Sequence, residues 1–123
     1  MSATSPFRAY AVAQLHHEAP PGEDIAVYLE RIQDTLDPHG GRFVVHDHRP
    51  EVVEGDFGGY VVVIGFPDMD AARAWYRSPA YQEILALRTR TVGGTAVLVA
   101  GVPPEYDPGA GAARVREAAA ERS

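Results

Sequence analysis

The spacing of apolar residues changes period several times along the chain, and each change marks the edge of an element. From Glu23 to Leu36 the apolar residues Ile25, Tyr28, Leu29, Ile32 and Leu36 recur at three- and four-residue steps, with Glu30, Arg31 and Asp34 outside the stripe. That is the period of an amphipathic helix, which Pro38 and the pair Gly40-Gly41 end. Tyr60 to Phe66, YVVVIGF, is apolar throughout and too short for an ordinary helix, and Pro67 stops it by removing a backbone donor. It reads as a strand buried on both faces. Asp68 then offers an acceptor to the first free amides of a helix carrying Ala71, Ala72, Ala74, Trp75 and Tyr76, and Ser78-Pro79 breaks into a second short helix. Phe7 to Leu15 alternates alanine with larger residues and predicts a strand, which HHEAPPGED interrupts. Arg42 to His48 predicts another strand, with Glu51 to Glu54 continuing it past a bend at Pro50 and Gly55 to Gly59 turning into the next. Thr95 to Val102 is the last.

The order β-α-β-β-α-β is that of the ferredoxin-like α+β fold, a four-stranded antiparallel sheet with two helices on one face. A sheet with its other face in water should place polar residues at alternate positions, and YVVVIGF and TAVLVAG place almost none. The second face therefore needs a cover. A second copy of the chain, sheet against sheet, provides one, so a homodimer forming a dimeric α+β barrel is expected.

At 123 residues the chain holds one core. Residues 7–102 are expected to form the barrel domain, after a frayed 1–6 segment and before a linker and tail at 103–123 that either forms a short helix or stays disordered. There is no cysteine, which excludes disulfides, thiolate nucleophiles and Cys-based metal sites, and all eleven basic residues are arginine. The lack of lysine excludes Schiff-base chemistry and a lysine-bound pyridoxal cofactor. A net charge of −6 disfavours nucleic acid and anionic membranes as partners. With no signal-like start and no apolar run of spanning length, a cytoplasmic location is expected.

The segments HGGRFVVHD, EVVEGDF, VVVIGFPDMDAARAWYRSPAYQ and LVAGV resemble the domain of unknown function 1330 family of small dimeric α+β barrel proteins, over about Tyr10 to Val102. The most specific element is Phe66-Pro67 followed by Ala72, Trp75-Tyr76, Ser78 and Tyr81. The resemblance implies the fold and the dimer but no reaction. The wider barrel superfamily it points to includes cofactor-independent monooxygenases, muconolactone isomerase-like enzymes, polyketide cyclases and haem-dependent relatives, which share a pocket between sheet and helices or loops. Two positions depart from the family pattern, which often has Glu where this chain has Gly65 and Arg where it has His46.

Candidate chemistry rests on histidine. His46 and His48 are two apart in a strand, so regular alternation sets them on one face with Val44, opposite Phe43 and Val45, which are expected under the helices. Either ring could exchange a proton with an enolisable or phenolic substrate near neutral pH. The alternative is two solvated polar residues near a strand end. His16 or His17 could join them around a metal, but no carboxylate or third ligand is marked, and neither metal nor any other cofactor is expected. Gly65 shares a face with Val61 and Val63, and its missing side chain would enlarge an apolar pocket there, with Val97, Val99, His46, His48 and Gln14 also lining it. Tyr10, Arg42, Tyr76 and Tyr81 are further candidate ligand contacts, while Trp75 is expected in the core. Such a pocket suits a hydrophobic small molecule of polyketide- or terpenoid-like character. Two functions stay open: a cofactor-independent isomerase, cyclase or monooxygenase-like enzyme, and a non-catalytic ligand-binding or structural homodimer with a filled barrel.

Overall fold

The computed structural model describes residues 5–17 and 19–122, and the side chains of Asp47 and His48 also lie outside the described residues. Of the N-terminal segment expected to fray, residues 1–4 are outside as well. Strands β1 (Ala9–His16), β2 (Arg42–His48), β3 (Tyr60–Phe66) and β4 (Gly93–Ala100) form one sheet in the order β2-β3-β1-β4, antiparallel throughout. Helix α1 (Glu23–Leu36) connects β1 to β2 through a 3-10 turn, and α2 (Met69–Arg77) with α3 (Pro79–Thr89) connects β3 to β4. This is the ferredoxin-like arrangement, with its second crossover split in two.

Local chemistry accounts for the breaks. The Asp68 side chain accepts from the amide of Ala71 at 2.7 Å and opens α2. Ser78 closes α2 and opens α3: its hydroxyl donates to the Trp75 carbonyl at 2.7 Å and accepts from the Tyr81 amide at 3.2 Å. At Gly41 the chain leaves α1 so close to the core that an added Cβ would meet Leu36 at 2.7 Å and Phe66 at 2.8 Å.

The core lies between the sheet and the helices. Ala9, Ile64 and Phe66 from the sheet meet Tyr28, Ile32 and Leu36 of α1, Ala72 and Trp75 of α2, and Tyr81 and Ile84 of α3. Trp75 is buried as expected, and its indole N–H donates to the Thr35 hydroxyl at 3.0 Å, so the one polar atom of the ring is satisfied.

Strand ends differ from the sequence reading because partners set them. β1 begins at Ala9 rather than Phe7, and β4 runs from Gly93 to Ala100 rather than Thr95 to Val102, since Ala9 pairs with Ala100 and His16 with Gly93. Residues 51–54 do not extend β2: His48 already faces Val61 near the start of β3, so the chain beyond it has no strand to pair with. In the tail, α4 (Ala110–Glu121) is a helix with no buried residue. No described helix is long and apolar enough to cross a membrane.

The face away from the helices carries Tyr10, Val12 and Gln14 of β1, Val61, Val63 and Gly65 of β3, and Thr95, Val97 and Val99 of β4 in cross-strand register. Val97 is 45% and Val99 42% exposed, so a mostly apolar sheet face lies open on the single chain.

Candidate functional site

A cavity of about 460 Å³ lies on the helix side of the sheet. Its floor is Ala11, Ala13 and Leu15 of β1, Val62 and Ile64 of β3, and Ala96 and Leu98 of β4, and its roof is Ile25, Tyr28, Leu29 and Ile32 of α1. Trp75, Tyr76, Tyr81, Arg88 and Val92 also line it, as do Phe43, His46, Tyr60 and His17. The small residues make the space. Ala13 stands opposite Ala96 across β1 and β4, and Ala11 follows on the same face of β1.

This is not the face on which the sequence reading set the pocket. Val61, Val63 and Val99 do not line it, although Val97 does, and neither do Tyr10, Gln14, Arg42 or Gly65. The Tyr10 hydroxyl pairs with the Ser5 hydroxyl at 3.0 Å, and the Gln14 amide donates to the Gly58 carbonyl at 2.7 Å. Arg42 is exposed on the edge strand opposite Gly65. The recess at Gly65 is occupied by the Phe7 ring, which an added Cβ would strike. That glycine admits a side chain of its own chain rather than opening a cavity.

The face of His46 is also corrected. Phe43 pairs with Ile64, but Val45 pairs with Val63, so two steps on β2 match one on β3. A bulge of this kind shifts every later side chain to the opposite face. His46 therefore turns to the helix side, lines the cavity, and lies 4.8 Å from the Phe43 ring, centroid to centroid. A second shift follows between Val45 and His48. His48 keeps only its backbone position opposite Val61, its side chain lying outside the described residues.

The structure thus brings His46, Tyr76 and Tyr81 together around one cavity and adds groups the sequence reading passed over. The Tyr28 and Tyr81 hydroxyls share a hydrogen bond at 2.9 Å between buried residues. Burial first, then the charge and hydrogen bond of Tyr81, push the Tyr28 phenol well above the ordinary tyrosine range, while the Arg88 guanidinium pulls the other way. Tyr28 accordingly stays a neutral donor at any physiological pH. Elsewhere on the wall His17 stacks on Tyr60 at 5.3 Å and 9°, and the Arg49 guanidinium stands 5.3 Å from the centroid of the same ring. Tyr28 was legible only as one member of an apolar stripe. The available signal was a hydroxyl in the middle of that stripe, which needs a buried partner. Arg88 is seven residues after Tyr81, two helical turns along the same face of α3. No group of three or more His, Cys, Asp or Glu residues placed to hold a metal occurs among the described residues.

Residues 8–102 match the family described as Domain of unknown function (DUF1330). The chain belongs to that family. Among solved structures, this DUF1330 chain is similar to a protein of unknown function from Rhodopseudomonas palustris, at 17% identity and a TM-score of 0.60, over 81% of this chain and 86% of that one. It is also similar to SnoaB, a cofactor-independent oxygenase from Streptomyces nogalater, at 16% identity and a TM-score of 0.56, over 82% of this chain and 99% of that one. At these identities the likeness is one of fold. The comparison with curated proteins finds no match.

Proposed function

We propose that this DUF1330 protein encloses a hydrophobic small molecule between its sheet and helices and acts on it as a cofactor-independent enzyme of isomerase, cyclase or monooxygenase-like type, with a polyketide- or terpenoid-like biosynthetic intermediate as substrate. The observation that carries this reading is the cavity of about 460 Å³. It falls in the size range of small-molecule sites and has their character, apolar walls with a few polar groups directed inward. His46 is the general acid or base, placed on the cavity wall by the bulge. His48 is kept as a second candidate on the same strand. Tyr76 and Tyr81 contact the ligand, and no cofactor is assigned. The same fold in a cofactor-independent oxygenase supports the compatibility of the frame with such chemistry.

The open sheet face is assigned to a second copy of the chain. Tyr10, Gln14, Arg42, Val63 and Gly65, first read as ligand contacts, belong in this proposal to the subunit interface or its border. The catalytic reading is tested with His46→Ala and His48→Ala introduced singly in the producing organism, followed by metabolite profiling. Accumulation of an intermediate in the His46→Ala strain is expected. Unchanged profiles in both strains, with both proteins folded, would leave a binding protein without catalysis.

A further inference from the structure

Arg88 is a half-buried cation on the wall of an apolar cavity, and no Asp or Glu lines that cavity among the described residues. The ion pairs among those residues are Arg31 with Glu83 and Arg73 with Asp70, and neither involves Arg88. Its side chain reaches the Val92 carbonyl at 3.5 Å, a long contact that leaves most of the guanidinium donors uncommitted. A partly desolvated cation facing apolar walls is costly until an anion joins it. Beside it stand the two phenols. One hydroxyl proton lies between Tyr28 and Tyr81, so the other remains free to donate. Arg88 and both phenols line the same cavity, and the Arg88 charge works against the effect of burial on Tyr28.

We propose that Tyr28, Tyr81 and Arg88 form an oxyanion subsite on the wall of the cavity, selecting ligands whose apolar ring system carries a negatively charged oxygen on an sp² carbon. Carboxylates, enolates and phenolates share that chemistry. The proposal rests on the reading of the cavity as a ligand pocket and deepens it. The net charge of −6 repels anions at long range, so any preference for them must come from this local group. An apolar wall excludes water and strengthens the attraction between guanidinium and oxyanion. In the proposed reaction the subsite would hold the carbonyl oxygen that becomes negative when His46 removes a proton from the adjacent carbon, and the proton would reside on the imidazole.

The test uses two probes of nearly equal shape, 2-naphthoate and the neutral ketone 2-acetonaphthone. Binding is read by calorimetry and by the fluorescence of Trp75, the chain's single tryptophan and part of the cavity wall. Wild type is expected to bind the carboxylate at least about tenfold more tightly than the ketone, the scale of one charge-assisted hydrogen-bond pair. Arg88→Gln should abolish the preference by weakening the carboxylate far more than the ketone, and Arg88→Lys should keep part of it. Equal affinities in wild type, or a preference that survives in Arg88→Gln, overturns the subsite and leaves the pocket standing. If neither probe binds the folded wild type, the pocket reading fails and the subsite with it. The wild-type ratio does not depend on any variant folding.

Discussion

Replacing the Tyr28 and Tyr81 hydroxyls, singly and together, probes the centre of the cavity. Phenylalanine at either position removes one oxygen and keeps the ring, so the edge-to-face contact at 6.2 Å and 70° is preserved and little apolar area changes. A net hydrogen bond is worth about 1 kcal/mol, and a buried hydroxyl left without its partner costs a further fraction of about 1–3 kcal/mol. Tyr28→Phe strips Tyr81 of its hydroxyl partner, whereas Tyr81→Phe leaves Tyr28 with Arg88 nearby. The expected losses are therefore about 2 kcal/mol for Tyr28→Phe and about 1 kcal/mol for Tyr81→Phe, and the double variant should cost less than their sum by about 1 kcal/mol. Urea unfolding followed by Trp75 fluorescence measures all three at one fixed protein concentration, since the stability of the proposed dimer would depend on concentration. The same set tests the raised Tyr28 ionisation. Between the ordinary tyrosine value of 10.0 and the higher folded value, the unfolded chain loses this proton first. Stability should therefore be fully present below pH 10 and fall above it, by up to about 1.4 kcal/mol per pH unit from this residue. That component should vanish in Tyr28→Phe. Additive single losses, or identical alkaline curves for wild type and Tyr28→Phe, would refute the coupled buried pair.

Gly41→Ala forces a methyl group against Leu36 and Phe66, both fully buried, and should cost about 1–3 kcal/mol, read as a lowered Tm by calorimetry. Thr35→Val keeps the volume but removes the acceptor of the Trp75 indole, so a loss of about 1–3 kcal/mol and a shift in tryptophan emission are expected in a denaturant titration. Val99→Arg places a charge on the open sheet face and should convert dimer to monomer in sedimentation velocity without lowering helix content by circular dichroism, whereas a wild type that is already monomeric would remove the dimer proposal. His46→Ala should leave unfolding free energy within about 0.5 kcal/mol of wild type, because the residue is exposed at its side of the cavity, so any loss of turnover would be chemical in origin.

Element order, the bounds of α1 and β3, the Asp68 cap and the burial of Trp75 were all legible in the sequence. Each follows from interactions within a few residues: the helical period, the donor missing at Pro67, the carboxylate three residues before the amide it caps. The open apolar sheet face was legible too, because period-two alternation is a local property and its polar half was missing. The site was legible only in part. His46, Tyr76 and Tyr81 were named from residue type and do line the cavity, but His46 does so for a reason opposite to the one expected. A bulge is a relation between two strands, and nothing within RFVVHDH marks which residue is the extra one. Likewise a strand glycine announces a close approach but not by what, and here it is the Phe7 ring.

By itself, then, the sequence determined the fold class, since a β-α-β-β-α-β series of this length with these periods has few compact solutions. Tertiary structure alone decided which face holds the cavity. Register across β2 and β3 turned His46 inward, aligned alanines left room beneath α1, and the packing of α1 against α3 joined Tyr28, Tyr81 and Arg88. Tyr28 lies far along the chain from Tyr81 and Arg88, and only the closing of the core brings the Tyr28 hydroxyl to its partner.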